Sequence, residues 1–176
     1  MSAVESFRTR RLVAIRPKFD HLDRWFRILQ DPRVAATLGG VRSLAAIHRG
    51  FLNQLFHWFQ YGFGYWVWAR PSSEEFVGLA GLQKVGVGGG PGVELGYSLR
   101  PEFWGRGLAT EIGGALQRLA FGPLRLTQLI SYTLVTNTAS RRVLEKLRFS
   151  YEREIRHAGL PHAFYRMTAV QYLERF

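Results

Sequence analysis

VELGYSLRPEFWGRGLATEIGGALQRLAF, residues 93–121, passes from an apolar run through two closely spaced glycines into a helical pattern. Val93 to Leu99 reads as a strand, Arg100-Pro101 turns the chain, and the helix begins after Trp104-Gly105-Arg106-Gly107-Leu108-Ala109 and runs on from Thr110. The first N–H groups of a helix have no internal acceptor, and its dipole is positive at that end. Gly105 and Gly107 carry no Cβ and tolerate positive φ, so a phosphate can approach the main chain, with Arg106 as a cation beside it. A bare G-x-G also occurs where the glycines only serve the turn, so the rest of the chain has to decide.

Upstream, residues 12–16 form a short apolar strand closed by Pro17. Asp20 is placed to cap a helix bearing Leu22, Trp25, Phe26 and Leu29, which Asp31-Pro32 stops. Ser43 caps a second helix, whose Leu44, Ile47, Phe51, Leu55, Phe56 and Phe59 recur at helical spacing down to Gly62. These two helices carry more aromatic surface than one face usually hides, to be used either in the core or in a groove wall. Residues 64–69 and 76–82 read as a hairpin, and residues 86–92 as a glycine-rich connection to the Val93 strand.

Downstream, residues 129–135 are β-branched and apolar. Thr138 is placed to cap a helix with Ala139, Val143, Leu144 and Leu147 on one face. Residues 151–156 and 163–170 are strand-like around the turn Ala158-Gly159-Leu160-Pro161. The order βααβββ, then αβαββ, predicts one α/β (α+β) domain over residues 1–176, with a central mixed, mostly antiparallel sheet of about seven strands and about four flanking helices.

Composition narrows the function. The net charge is +11, from 24 basic against 13 acidic residues, and all the basic ones except Lys18, Lys84 and Lys146 are arginine. Arginine suits phosphate and carboxylate, although an arginine-rich genome gives the same bias. Without cysteine there is no disulfide, thiolate metal site or cysteine nucleophile, and the five histidines show no metal-ligand spacing, so no metal is expected. The N-terminal residues lack a signal-peptide pattern and no apolar run reaches about 18 residues, so a cytoplasmic protein without membrane contact is the expectation.

Taken together, these segments resemble the GNAT superfamily of acyl-CoA-dependent N-acetyltransferases, in the branch typified by the RimJ/RimL ribosomal-protein N-terminal acetyltransferases. Thr9-Arg10-Arg11-Leu12 is similar to that branch's opening motif, Asp31-Pro32 to the pair after its first helix, and Gly64-Tyr65-Trp66 to its second-strand signature. The segment from Val93 through Glu111 resembles its pyrophosphate-binding region, and Asn137 through Leu147 with Phe149 its second cofactor motif. The resemblance implies acetyl-CoA as co-substrate, held by Leu99, Trp104, Gly105, Arg106, Gly107, Leu108, Ala109, Thr110, Asn137, Ser140 and Arg142. It also implies that a bulge splays the strand before the loop, for which Gly96 is the fitting place.

Two positions depart from the family. Arg148 stands where a helix-ending glycine is common, and Leu144 where many members carry a proton-donating tyrosine. The implied chemistry is direct attack of an amine on a thioester through a tetrahedral intermediate. It needs a base, an oxyanion donor and an acid for the thiolate. Glu94 is the candidate base, unless it faces solvent or pairs with an arginine. Ser140 is the candidate acid, with Tyr97, Tyr132 and Tyr165 as other hydroxyls and a backbone N–H near residues 96–98 as the donor. His157 and His162 flank a turn that would overhang the acceptor. The acceptor would be a small amine or a protein N-terminus such as a ribosomal protein's, and a homodimer is compatible with the family. Nucleic acid stays open as a partner, because the same charge fits a second reading: an acetyltransferase-like basic module without catalysis that binds nucleic acid or regulates.

Overall fold

The computed structural model describes residues 5–174. Its strands are β1 (Ser6–Arg8), β2 (Val13–Ile15), β3 (Tyr65–Ala69), β4 (Phe76–Gly86), β5 (Pro91–Leu99), β6 (Gln128–Leu134), β7 (Ser150–His157) and β8 (Leu160–Thr168). The helices are α1 (Leu22–Leu29), α2 (Pro32–Thr37), α3 (Leu44–Tyr61), α4 (Leu108–Phe121), α5 (Thr138–Lys146) and α6 (Ala169–Leu173). One sheet holds all eight strands in the order β1-β2-β3-β4-β5-β6-β8-β7. Only the β5–β6 pair is parallel, because α4 carries the chain back across the sheet between them.

Three elements exceed the seven strands and four helices expected from sequence. Strand β1 is only three residues long, too short to show a period. Helix α2 starts at a polar residue, Asp31, that the sequence reading used to end another element, and α6 starts inside the stretch 163–170 that it read as one strand. Asp31 does not stop a helix but begins one: its carboxylate accepts the Arg33 N–H at 2.9 Å, and Pro32 takes the first helical position, where its missing N–H costs nothing. Thr168 likewise ends β8 and caps α6 with Gln171. Asp20 caps nothing; a 3₁₀ turn, Phe19–His21, leads into α1, and His21 Nδ1 accepts the Lys18 N–H. Asn137, not Thr138, caps α5. Ser43 caps α3 as expected.

Alternation along the strands sorts the core into two layers. Leu95 and Leu99 of β5 and Trp66 and Trp68 of β3 pack with Leu108, Ile112 and Leu116 of α4 and Leu144 of α5. Val67 and Leu79 pack on the opposite side with Trp25, Ile28, Val34, Ile47 and Phe51 of α1–α3. Within β4, Phe76 pairs with Ala69 and Gly78 with Trp68, so Val77 is an extra residue that restores alternation across a bulge. The aromatic surplus of α1 and α3 divides accordingly: Trp25, Phe51 and Trp58 are buried, whereas Phe56 and Phe59 are exposed.

Arg148 adopts the left-handed conformation that the family gives to glycine, at φ 61°. The helix end compensates. The Arg148 N–H donates to the Glu145 carbonyl at 2.8 Å and the Phe149 N–H to Leu144 at 3.0 Å, while buried Phe149 and Leu144 belong to one cluster. Arg148→Gly is expected to raise unfolding stability by roughly 0.5–1 kcal/mol, the left-handed cost less the added chain entropy of glycine. A denaturant titration that finds no gain would show that the Arg148 backbone is unstrained.

Candidate active site

The site is built on a missing piece of sheet. Strand β5 is held to β4 along its whole length, from Pro91↔Gly86 to Leu99↔Gly78, and β6 to β8 from Gln128↔Thr168 to Leu134↔His162. Between β5 and β6 a single pair remains, Glu94↔Ile130. Just past it the Ser131 hydroxyl donates to the Leu95 carbonyl at 2.8 Å, so a side chain occupies a ladder position and the strands part. The expected bulge at Gly96 is not there: the β4–β5 register runs through Gly81↔Gly96 without a shift. Gly96 is instead a clearance, since a Cβ at that position would collide with the Tyr65 hydroxyl.

The parting opens a groove of about 960 Å³ that reaches both faces of the sheet. On the face covered by α4 and α5 it is lined by Leu99, Trp104, Gly105, Gly107, Leu108, Ala109, Thr110, Asn137, Ser140 and Arg142. Gly105 and Gly107 hold φ of 73° and 72°, and Gly107 is the N-cap of α4 with no side chain on its orphan N–H groups. A Cβ on Gly105 would meet no atom within 4 Å, so the main chain lies open there. Such a cradle, over a positive helix end and flanked by Arg142, fits a pyrophosphate. Trp104 turns its indole N–H onto the Leu99 carbonyl at 2.7 Å. Asn137 spends its side-chain oxygen on the Ser140 N–H.

Arg106 does not line the groove. Its guanidinium lies 5.8 Å over the Phe103 ring, and its carbonyl accepts from Arg11 Nη1 at 2.9 Å. The sequence reading gave Arg11 no role, yet it buttresses this loop: Glu111, in the first turn of α4, accepts from Thr9 Oγ1 at 2.6 Å and from the Arg11 main-chain N–H at 2.9 Å, and pairs with Arg11 Nε. Burial would raise the Glu111 carboxyl, but these donors outweigh it and hold it below the ordinary range. The signal lay in the Thr9–Leu12 motif, whose partner is 100 residues away.

Glu94 lies on the other face, with Tyr65, Tyr132, His157 and His162. Tyr132 OH sits 3.5 Å from Glu94 Oε2, a long hydrogen bond, and the Tyr132 ring stacks edge-on at 4.9 Å from His157. Glu94 neither faces open solvent nor pairs with an arginine. One side opens on the groove, but protein surrounds the rest, and desolvation raises its pKa to about 7 against the small opposing effect of Tyr132. Tyr97 points to the cofactor-facing side, where its hydroxyl meets Ser140 Oγ at 2.8 Å; burial pushes Tyr97 up to about 12, so it stays protonated at neutral pH. Tyr165 lies in the core, its hydroxyl taking Arg141 Nε at 3.1 Å. His157 and His162 overhang the groove as expected.

Residues 11–150 match the acetyltransferase (GNAT) domain model. The chain belongs to the GNAT acetyltransferases. This GNAT chain is similar to the FsC-acetyl coenzyme A-N(2)-transacetylase of Aspergillus fumigatus, at 37% identity over 89 residues, which are 47% of this chain and 37% of that protein. It therefore spans little more than a third of the fungal relative's length. Among solved structures, the acetyltransferase from Agrobacterium tumefaciens strain C58 superposes with a TM-score of 0.83 at 24% identity, covering 95% of this chain and 96% of that one. RimL, the ribosomal L7/L12 α-N-protein acetyltransferase in complex with coenzyme A, superposes with a TM-score of 0.74 at 15% identity, covering 93% and 98%. At these identities both likenesses concern the GNAT fold alone. No helix among the described residues is long and apolar enough to cross a membrane.

Filling the cradle should abolish cofactor affinity without unfolding the protein. Gly107→Trp is expected to lower acetyl-CoA affinity at least 100-fold by calorimetry, because it both blocks the amides and opposes the positive φ. Wild-type affinity in that variant would place the pyrophosphate elsewhere.

Proposed function

We propose that this GNAT domain moves an acetyl group from acetyl-CoA to a primary amine, and that it belongs to the RimJ/RimL-like branch. The observation that carries the reading is Glu94: a carboxylate with a pKa near 7, in the mouth of a split sheet, on the side opposite the phosphate cradle. A general base works best when its pKa lies near the working pH. A basic module without catalysis has no use for a desolvated carboxyl there, and that disfavours the nucleic-acid or regulatory alternative. The branch assignment rests on the motifs from Thr9 to Phe149. The acceptor reading spans both a small amine and a protein N-terminus, the latter being what RimL's name gives for that protein.

Acetyl-CoA supplies an acetyl carbon already activated as a thioester. The amides of residues 105–109 hold its pyrophosphate, Leu99 and Asn137 border the arm, and Arg142 adds charge toward the phosphates. Glu94 takes a proton from the acceptor ammonium and frees the nitrogen lone pair for attack. A β5 backbone N–H among residues 96–98, left without a β6 partner by the split, donates to the developing oxyanion. The Ser140–Tyr97 hydroxyl pair gives a proton to the departing thiolate as the carbon–sulfur bond breaks and is restored by the second proton that the attacking nitrogen sheds, in place of the tyrosine where this chain has Leu144.

Glu94→Gln should lower kcat about 100-fold with little change in acetyl-CoA affinity. Because the base must be ionised, wild-type kcat/KM should rise with pH through about 7 and level off above it, and the variant should lose that inflection. A flat wild-type profile would remove Glu94 as the base. Tyr97→Phe should cost roughly ten- to a hundredfold in kcat while keeping cofactor affinity, and an unchanged kcat would exclude the hydroxyl pair as the proton source.

A further inference from the structure

On the acceptor face the groove lining carries one carboxylate, Glu94, and one guanidinium, Arg42. Arg42 follows Gly39-Gly40-Val41 in the segment between α2 and α3. Positive φ at Gly39 and Gly40, 88° and 123°, brings that segment over the groove, where a Cβ on Gly39 would lie 2.7 Å from Leu160 Cδ1 of the β7–β8 hairpin. The Arg42 carbonyl is fixed by the Gln30 side-chain amide at 2.8 Å. Its guanidinium forms no ion pair among the described residues.

Arg42 and Glu94 act on the same two hydroxyls, Tyr65 and Tyr132, the cation favouring their ionisation and the carboxylate opposing it. Yet they do not pair with each other. Both tyrosines line the same groove as a proton acceptor, Glu94, and a planar donor set without an ion pair, Arg42. Guanidinium binds carboxylate bidentately and is weakly hydrated, so an unpaired one at the rim of a groove favours an anionic ligand. A neutral amine would leave it unused.

We propose that this face binds an amine carrying its own carboxylate a few bonds from the nitrogen, with Arg42 receiving the carboxylate and Glu94 the ammonium. A free amino acid and a peptide with an acidic first residue share that chemistry. The inference rests on the acetyl-transfer reading, since it assumes that the amine is the acceptor. Arg42 is exposed, so replacing its side chain should leave the fold intact.

The test compares matched ligands on protein saturated with coenzyme A, by ligand-observed NMR, and then as acceptors with acetyl-CoA. The set is an amino acid, its carboxamide and its decarboxylated amine, beside peptides beginning with Asp or Asn. Acids should be preferred over their amides by roughly ten- to a hundredfold in affinity and in kcat/KM. Arg42→Gln should collapse that ratio toward one, and Arg42→Lys should keep part of it. Acids and amides binding alike, neither binding, or an Arg42→Gln effect equal on both would overturn the inference. If neutral amines are acetylated without a preference for acids, only this inference falls; if acetyl-CoA itself does not bind in calorimetry, the acetyl-transfer reading falls with it. Turnover of the free acid or of the acidic peptide then separates the two sources.

Discussion

The structure depends on the loss of hydrogen bonding between β5 and β6 beyond Glu94↔Ile130. Two neighbouring strands normally close every ladder position, because an unpaired buried backbone group costs as much as a lost hydrogen bond. Here each strand is satisfied on its outer side, β5 by β4 and β6 by β8, and the Ser131 hydroxyl takes the Leu95 carbonyl at the fork. The gap is therefore held open by ladders on both sides rather than by a weak point. Backbone groups facing it are left to find a partner that the protein does not supply.

A hole through the sheet solves a problem of access. Alternation along β5 sends Tyr97 toward α5 and Glu94 toward α1–α3, so a protonated hydroxyl and a buried carboxyl stand on opposite faces of one opening. The open helix start at α4, suited to a phosphate, lies on the first face, and the proposed acceptor site lies on the second. Desolvation then sets the chemistry. Burial raises the Glu94 carboxyl to about 7 and the Tyr97 hydroxyl to about 12.

The α4–α5 half of the groove was legible in sequence because it is local. Gly105, Gly107 and the helix that follows lie within a few residues, and Asn137 and Ser140 open the next helix. The acceptor half was not: Tyr65, Arg42 and Tyr132 come from segments scattered over about 90 residues, and no single period or spacing brings them together. Arg106 illustrates the limit of local reasoning. Its place in the loop was right, but a neighbouring ring, Phe103, and a distant arginine, Arg11, decide where its side chain and carbonyl go. A polar residue at an element end misled in the same way. Asp31 serves equally well to end one element and to cap the next, and only three-dimensional packing selects between the two uses.

By itself the sequence determined the mixed α/β architecture, the hairpin of β3 and β4, the anion-binding turn and the helix that follows it, since periodicity, caps and glycines act over a few residues. The tertiary structure decided where the sheet splits and which face Glu94 occupies. It also decided that Gly96 is clearance for Tyr65 rather than a bulge. Those outcomes depend on register between strands and on burial by distant side chains, and neither quantity is written in the order of residues along one segment.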